Sequence, residues 1–179
     1  MVNNLIPFIG ITGGIGSGKS LICRIFSCLD IPIFESDSVA KEIIEQDPQV
    51  REALIQLLGP QAYEGQVYNR AFVRKCIQEK PNILFSLNQI IHPAVRKAAV
   101  HWHQTQNSPF ALYESALFTA ANKPSFLDQI IVVQAPVSDR MERIEKRNTS
   151  TDMKQLIDLQ PSPESYTQIA DYLIQNGKK

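Results

Sequence analysis

The sequence has no excess of charge of either sign and no long apolar run. Its 179 residues include 18 basic and 18 acidic side chains, so bulk electrostatic attraction to nucleic acid or to a membrane surface is not expected. No apolar stretch approaches the ~20 residues that a membrane-spanning helix needs. The N-terminal apolar stretch is broken by glycines and has no basic leader, which does not fit a signal peptide. We therefore expect neither nucleic acid nor a membrane among its partners.

Cysteine is also scarce. The three cysteines, Cys23, Cys28 and Cys76, are odd in number and lack the spacing of metal ligands. They indicate reduced thiols in a cytoplasmic protein. The sequence has no internal repeat and no low-complexity tract. Its length predicts a single domain over residues 1–179, acting as a monomer or a small homo-oligomer.

A glycine-rich stretch near the N-terminus carries the clearest chemical signal. Gly13, four further residues and then Gly18, Lys19 and Ser20 match the phosphate-binding pattern G-x-x-x-x-G-K-[ST]. Glycines let the backbone turn its N–H groups around a phosphate, and the following helix adds the positive end of its dipole. A lysine reaches the outer phosphates and a serine hydroxyl ligates Mg²⁺. The pattern predicts a site for a nucleotide phosphate chain.

The alternative is a glycine-rich loop with an incidental lysine. The flanking sequence argues against it, because an apolar run that includes Phe8, Ile9 and Ile11 precedes the loop and apolar residues at helical spacing follow it. A buried strand, the loop and a helix are the context that this pattern requires.

Further short apolar runs predict an α/β fold in which a parallel sheet of about five strands is flanked by helices. Predicted strands are centred on Ile33–Phe34, Phe110–Glu114, Ile130–Val133 and Ala170–Ile174. Ligands bind beyond the carboxyl ends of such strands. We therefore expect the loop and the segment from Glu35 to Asp37 to face one cavity. Ser36 or Ser38 is the expected cap of a helix that begins at Val39.

The middle of the chain has a helical pattern. The sheet core is assigned to residues 1–47 and 107–179, and residues 48–106 are predicted to be a helical insertion that binds a second substrate. One helix is expected from Pro81 to Ile90. A separate one is expected with Pro93 in its first turn, where proline is favoured, and with its end at His103.

A basic run follows the fourth predicted strand. Arg140, Arg143 and Arg147 are spaced three and four residues apart, so a helix places them on one face. That face either is solvated or contacts phosphates as part of a lid over residues 138–160.

Together these features resemble dephospho-coenzyme A kinase, a family of P-loop kinases, over nearly the whole chain. The resemblance is carried by four further segments besides the phosphate loop. They are Glu35-Ser36-Asp37, Tyr68-Asn69-Arg70, Ile91-His92-Pro93 with Arg96, and Ala170-Asp171 through Asn176-Gly177. Arg143 and Arg147 fit the arginine-rich lid of that family.

Three departures from the family pattern stand out. Glu35 replaces the first aspartate of an Asp-Ala-Asp segment. Residues Ser115 to Thr119 lack the family's Pro-Leu-Leu-Phe-Glu, and the lid is shortened, with Leu156 where many members carry arginine.

The resemblance implies transfer of the ATP γ-phosphoryl group to the ribose 3′-hydroxyl of dephospho-coenzyme A, with Mg²⁺ as the metal. It implies Asp37 as general base, with Lys19 and Arg143 as further catalytic groups. The implied nucleotide contacts are Gly13, Gly14, Ile15, Gly16, Ser17, Gly18, Lys19, Ser20, Leu21 and Arg147, with Ser20 also the metal ligand. The acceptor contacts that we assign are Glu35, Lys41, Arg70, His92 and Arg96.

Several of these residues have alternative roles. Asp37 is also suited to capping a helix, and His92 to capping or packing beside Pro93. Glu35 either binds the metal through water or contacts the acceptor, and Glu114 either supports the metal or caps structure. At the level of the whole chain, the alternatives are another small-molecule or nucleoside kinase, or a nucleotide-binding homologue with impaired turnover.

Overall fold

Residues 6–116, 118–120, 122–146 and 162–177 are described by a computed structural model. They divide into two units. The sheet unit consists of the chain up to Glu35 together with the chain from Trp102 onward, and the helical unit is Ser36–His101. Each unit has its own apolar core.

The sheet unit contains the five longer strands, and the helical unit is mostly helices. The strands are β1 (Phe8–Thr12), β2 (Ile33–Glu35), β3 (Tyr63–Glu64), β4 (Val67–Tyr68), β5 (Ala111–Glu114), β6 (Gln129–Gln134) and β7 (Tyr172–Gln175). The α-helices are α1 (Lys19–Ser27), α2 (Ser36–Gln46), α3 (Pro48–Leu58), α4 (Arg70–Glu79), α5 (Asn82–Gln104), α6 (Val137–Glu145) and α7 (Pro163–Thr167). A 3₁₀ turn occupies Pro60–Ala62.

The predicted five-stranded parallel sheet is confirmed. The strand order is β2-β5-β1-β6-β7, and every pairing is parallel. In register, Ile11 of β1 lies opposite Glu114 of β5 and Ile131 of β6, and Glu35 of β2 lies opposite Glu114. The carboxyl ends of β1, β5 and β2 therefore meet at one edge of the sheet.

The core of the sheet unit follows from nearly continuous apolar strands, which is typical of parallel sheets covered on both faces. Ile11, Leu112 and Val133 are fully buried in it. Cys23 of α1 packs in the same cluster. Burial raises the pKa of the Cys23 thiol above its ordinary value, which keeps the group in the unreactive protonated form.

The helical unit has a separate core on α3, α4 and the amino-terminal part of α5, in which Leu54, Val73 and Leu87 are almost fully buried. Asp47 is the N-cap residue of α3, and its carboxylate accepts hydrogen bonds from the Gln49 and Val50 N–H groups at 2.8 and 3.1 Å. Strands β3 and β4 form a small antiparallel hairpin that the sequence does not predict as strands.

Helix α5 is one continuous helix, so the predicted break before Pro93 is wrong. A proline inside a helix removes a backbone hydrogen bond and crowds the preceding turn. Here Ile90 and Ile91 before the proline and Ala94 after it all pack against the same core. Burial on both sides offsets the free-energy cost of a proline inside the helix. The prediction used only the preference of proline for a first helical turn and did not include this packing.

One further boundary differs from the prediction, and another falls outside the described residues. Helix α2 begins at Ser36 rather than Val39, so neither serine lies ahead of it as a cap. Helix α6 ends at Glu145, and most of the predicted lid, including Arg147 and Leu156, lies outside the described residues. Within the described ranges, no helix is both long and apolar enough to cross a membrane.

Candidate active site

The glycine-rich segment forms a tight loop between β1 and α1. Gly13 has a φ of +152°, and a Cβ atom there would overlap the carbonyl oxygen of Val133. Gly18 has a φ of +93° and is the N-cap residue of α1, where it offers no side chain to the helix. The first N–H groups of an α-helix have no partner within the helix. The amino-terminal end of α1 is therefore suited to an anion.

Two hydroxyl groups beside this loop are buried without a partner. Ser17 is 1% exposed and Thr12 is 0% exposed. Neither side-chain oxygen has a hydrogen-bond partner among the described residues. A Cβ atom on Gly13 would lie 2.9 Å from Ser17 Oγ, so that hydroxyl lies against the Gly13 backbone. An unpaired buried hydroxyl is costly, and a bound phosphate oxygen would supply the missing partner.

Lys19 lies at the start of α1 and forms an ion pair with Glu114 at the carboxyl end of β5. The two side chains are 12% and 13% exposed. An almost buried ammonium needs such a partner, because an unpaired charge in this environment is strongly unfavourable. The pair places the loop lysine against an acidic side chain of the neighbouring strand.

A second acid ends the next strand. Glu35 is exposed, and it is in register with Glu114 across the β2–β5 pairing. Carboxylate and hydroxyl oxygens are the ligand type that Mg²⁺ prefers, and the exposed Ser20 of α1 supplies a hydroxyl. Among the described residues, no group of three or more His, Cys, Asp or Glu side chains is arranged to hold a metal ion. This donor set fits an ion that is bound largely by phosphate oxygens.

Two arginines of α6 contact the outside of the loop. The buried Arg140 donates from Nε to the Ile15 carbonyl oxygen at 2.8 Å. Arg143 donates from Nη1 to the Gly16 and Ser17 carbonyl oxygens at 3.1 and 3.2 Å. The interpretation of this helix face as merely solvated is therefore wrong for these two residues.

The other predicted nucleotide contacts differ in exposure. Gly14, Ile15 and Gly16 are half-buried in the loop, whereas Leu21 is 51% exposed on α1.

The predicted general base lies on α2, in the helical unit. Asp37 is exposed in the first turn of that helix. Because the helix begins at Ser36, Asp37 lies inside its first turn and not at the N-cap position. Lys41 lies one turn further along and is also exposed.

The predicted acceptor residues of the helical unit occupy two places. Arg70 begins α4, where its guanidinium lies 3.7 Å from the Glu45 carboxylate on the exposed surface. His92 and Arg96 lie one turn apart on α5. Burial, with a further contribution from the Arg96 charge, lowers the pKa of His92 below its ordinary 6.5. His92 is thus held neutral beside a cation.

Sequence reasoning missed three residues of this site. Glu114 was noted only as a strand-ending acid, Arg140 only as part of a basic run, and Asn176 only as part of a terminal turn. The structure places all three on the phosphate loop or its lysine. For Glu114 and Asn176 the available signal was a position at or just after the end of a predicted strand, and for Arg140 it was the helical spacing of the basic run.

The chain is also similar to known proteins over most of its length. A family model described as dephospho-CoA kinase matches residues 7–179. The dephospho-CoA kinase of Porphyromonas gingivalis is 40% identical over 143 residues, which cover 80% of this chain and 71% of that protein. The dephospho-CoA kinase of Pasteurella multocida is 32% identical, with 94% of this chain and 83% of that protein covered.

Solved structures share the fold. TT1252 from Thermus thermophilus superposes with a TM-score of 0.82 at 23% identity and covers 97% of this chain and 90% of that one. Dephospho-CoA kinase from Campylobacter jejuni gives a TM-score of 0.69 at 20% identity, covering 96% and 89%. The family match over residues 7–179 and the two relatives above 30% identity lead to one conclusion: the chain belongs to the dephospho-CoA kinase family.

Proposed function

We propose that this chain transfers the γ-phosphoryl group of ATP to the ribose 3′-hydroxyl of dephospho-coenzyme A. The products are coenzyme A and ADP, and the reaction is the last step of coenzyme A biosynthesis, in the cytoplasm. The observation that carries the proposal is the extent of the family match. It runs over residues 7–179, through both the sheet unit and the helical unit, and not over the phosphate loop alone.

The loop and α1 are assigned to the phosphoryl donor. Backbone N–H groups and the amino-terminal end of α1 receive the phosphates, with Ser17 Oγ as a further donor. Lys19 exchanges its Glu114 partner for the outer phosphates when the nucleotide binds. Because phosphoryl transfer depends mainly on positioning and charge stabilisation, these groups supply most of what the reaction requires on the donor side.

Asp37 is assigned as general base for the acceptor. Its carboxylate takes the proton of the ribose 3′-hydroxyl as that oxygen forms a bond to the γ-phosphorus. The bond from the γ-phosphorus to the bridging oxygen breaks, and its electron pair stays on the β-phosphate of ADP. A positioned base of this kind contributes about 10²–10⁴-fold to the rate.

A magnesium ion accompanies the nucleotide in this proposal. It supplies neutralisation of the charge on the phosphate oxygens. On this chain, the Ser20 hydroxyl and the carboxylates of Glu114 and Glu35 are oxygen ligands of the kind that the ion prefers.

The helical unit is assigned to the acceptor. Arg70 and Arg96 offer guanidinium groups that match the pyrophosphate of dephospho-coenzyme A, since their planar donors fit phosphate oxygens. Lys41 adds a further cation, and the neutral His92 and Glu35 supply hydrogen-bonding groups. Arg147 is retained as a nucleotide contact of the lid, although it lies outside the described residues.

The direct test supplies ATP, Mg²⁺ and dephospho-coenzyme A and follows coenzyme A by chromatography. We expect coenzyme A to appear in step with ADP. A panel of nucleosides and other small alcohols, tested under the same conditions, separates this activity from that of another small-molecule kinase. Nucleotide binding without any phosphorylated acceptor would instead identify a homologue with impaired turnover.

A further inference from the structure

The outer surface of the phosphate loop is held by side chains from distant parts of the chain. The carbonyl oxygens of Ile15 and Gly16 accept from Arg140 and Arg143. The Ser17 carbonyl oxygen accepts twice, from Arg143 Nη1 at 3.2 Å and from Asn176 Nδ2 at 2.9 Å. Three consecutive carbonyl groups therefore point out of the loop towards side-chain donors.

This arrangement fixes the direction of the N–H groups as well. In a planar trans peptide, the N–H group points opposite to the carbonyl group of the preceding residue. With the Ile15 and Ser17 carbonyl groups directed outward, the Gly16 and Gly18 N–H groups are directed to the inner side of the loop. These are the groups that a phosphate would contact. The outer donors thus set the orientation of the inner ones.

Asn176 is itself held firmly. It follows β7, and its backbone N–H group donates to the Gln134 carbonyl oxygen at 2.7 Å. Its own carbonyl oxygen accepts from Arg143 Nη2 at 2.7 Å. Its side-chain amide lies so close to Gly18 that a Cβ atom there would overlap Nδ2. The amide therefore lies against Gly18 and faces the Ser17 carbonyl oxygen.

We propose that Asn176 is a positioning residue of the phosphate loop, which sets nucleotide affinity by holding the Ser17 carbonyl outward. The inference rests on the proposed function, because it assumes that the loop binds the phosphates of ATP. Asn176 acts through the loop backbone and not on the reacting atoms. Its removal weakens nucleotide binding and leaves acceptor binding unchanged.

The test uses the full chain and two variants. Asn176→Ala removes the donor, and Asn176→Asp keeps the size of the side chain but replaces the donor with an acceptor that repels the Ser17 carbonyl. Tyr172→Phe is the matched control, since this exposed side chain of β7 bonds to Gln129. Calorimetry gives the Kd for ADP, and steady-state kinetics gives KM separately for ATP and for dephospho-coenzyme A.

Loss of one hydrogen bond predicts about a ten-fold rise in the Kd for ADP and the KM for ATP in Asn176→Ala. Asn176→Asp is expected to show a larger rise, while the KM for dephospho-coenzyme A stays within two-fold in both variants. Tyr172→Phe is expected to match the unaltered chain. A Kd for ADP within two-fold of the unaltered chain in both Asn176 variants overturns the inference. Equal rises in both KM values also overturn it, because they indicate a general structural defect.

The outcome for the proposed function is separate. If the unaltered chain binds ADP but forms no coenzyme A, the proposed function fails and the inference is still decided by the Kd values. If the unaltered chain does not bind ADP, both are overturned.

Discussion

The ammonium of Lys19 pairs with the carboxylate of Glu114, and the two side chains are 12% and 13% exposed. The strand order creates this contact, because β5 lies directly beside β1 and Glu114 is in register with Ile11. The loop lysine therefore has a negatively charged partner before any phosphate binds. Under the proposed function, nucleotide binding exchanges the carboxylate of Glu114 for phosphate as the partner of Lys19.

Replacing Glu114 by glutamine should destabilise the unliganded chain. Removal of one partner from an almost buried pair costs about 3 kcal/mol, which corresponds to roughly 6–12 °C in the thermal midpoint for a chain of this length. ADP should raise the midpoint of the variant more than that of the unaltered chain, because phosphate replaces the lost negative charge. Thermal unfolding with and without ADP measures both effects.

Glu142→Gln is the control for this substitution. Glu142 pairs with Lys146 on the exposed side of α6, and such surface pairs contribute less than about 1 kcal/mol. Equal midpoints for Glu114→Gln and the control would contradict a stabilising role of the Lys19–Glu114 pair.

Replacing Asp37 by asparagine tests the assigned base. Asparagine has the same shape but does not accept a proton, so kcat at saturating ATP should fall about 10²–10⁴-fold. The Kd for ADP should stay within two-fold, because Asp37 is assigned to the acceptor. Glu42→Gln, which changes an exposed acid on the same helix, should leave turnover unchanged. Near-normal turnover of Asp37→Asn would contradict the assignment.

Arg143 is expected to matter through the geometry of its guanidinium. One planar group donates to the Gly16, Ser17 and Asn176 carbonyl oxygens, and a lysine does not reproduce that set. Arg143→Ala should lower kcat/KM for ATP about 100-fold, or about 2.7 kcal/mol, and Arg143→Lys should recover only part of the loss. Lys146→Ala, at the exposed end of the same helix, is the control. An unaltered rate in Arg143→Ala would contradict a role of Arg143 in nucleotide binding or turnover.

The lowered pKa of His92 predicts that the free energy of unfolding depends on pH. The pKa of His92 in the folded chain is below its ordinary value of 6.5. As the pH falls below 6.5, the unfolded chain therefore binds more protons than the folded chain does. The contribution of His92 to stability is complete above about pH 6.5 and is lost towards lower pH.

Urea unfolding at pH 7.5, 6.0 and 5.0 measures this contribution. His92→Gln should lose less stability between pH 7.5 and 5.0 than the unaltered chain does, and His101→Gln, an exposed histidine on the same helix, should behave as the unaltered chain. Identical pH dependence in all three proteins would show that the His92 pKa is not lowered in solution.

The sequence is sufficient to predict the parts of this molecule that depend on local patterns. The strand, glycine loop and helix around Gly13–Ser20 are such a case, and so are the apolar runs of the parallel sheet. The continuity of α5 was not predictable, because it depends on how residues on both sides of Pro93 pack against α3 and α4.

The contacts around the phosphate loop could be identified only from the tertiary structure. Local spacing places Arg140 and Arg143 on one helix face, but only the arrangement of α6 beside the loop determines that they bind carbonyl oxygens. The same holds for Glu114 and Asn176, which reach the loop from two different strands. The assignment of the remaining site residues stays a prediction until the variants are measured.

Identification of the reaction product is the most direct test of the proposed function. The unaltered chain is incubated with ATP, Mg²⁺ and dephospho-coenzyme A, and the acceptor product is analysed by mass spectrometry and phosphorus NMR alongside the ADP released. We predict one coenzyme A, with its new phosphate on the ribose 3′-oxygen, for each ADP. Release of ADP with no phosphorylated acceptor, or a phosphate at any other position, would contradict the proposed function.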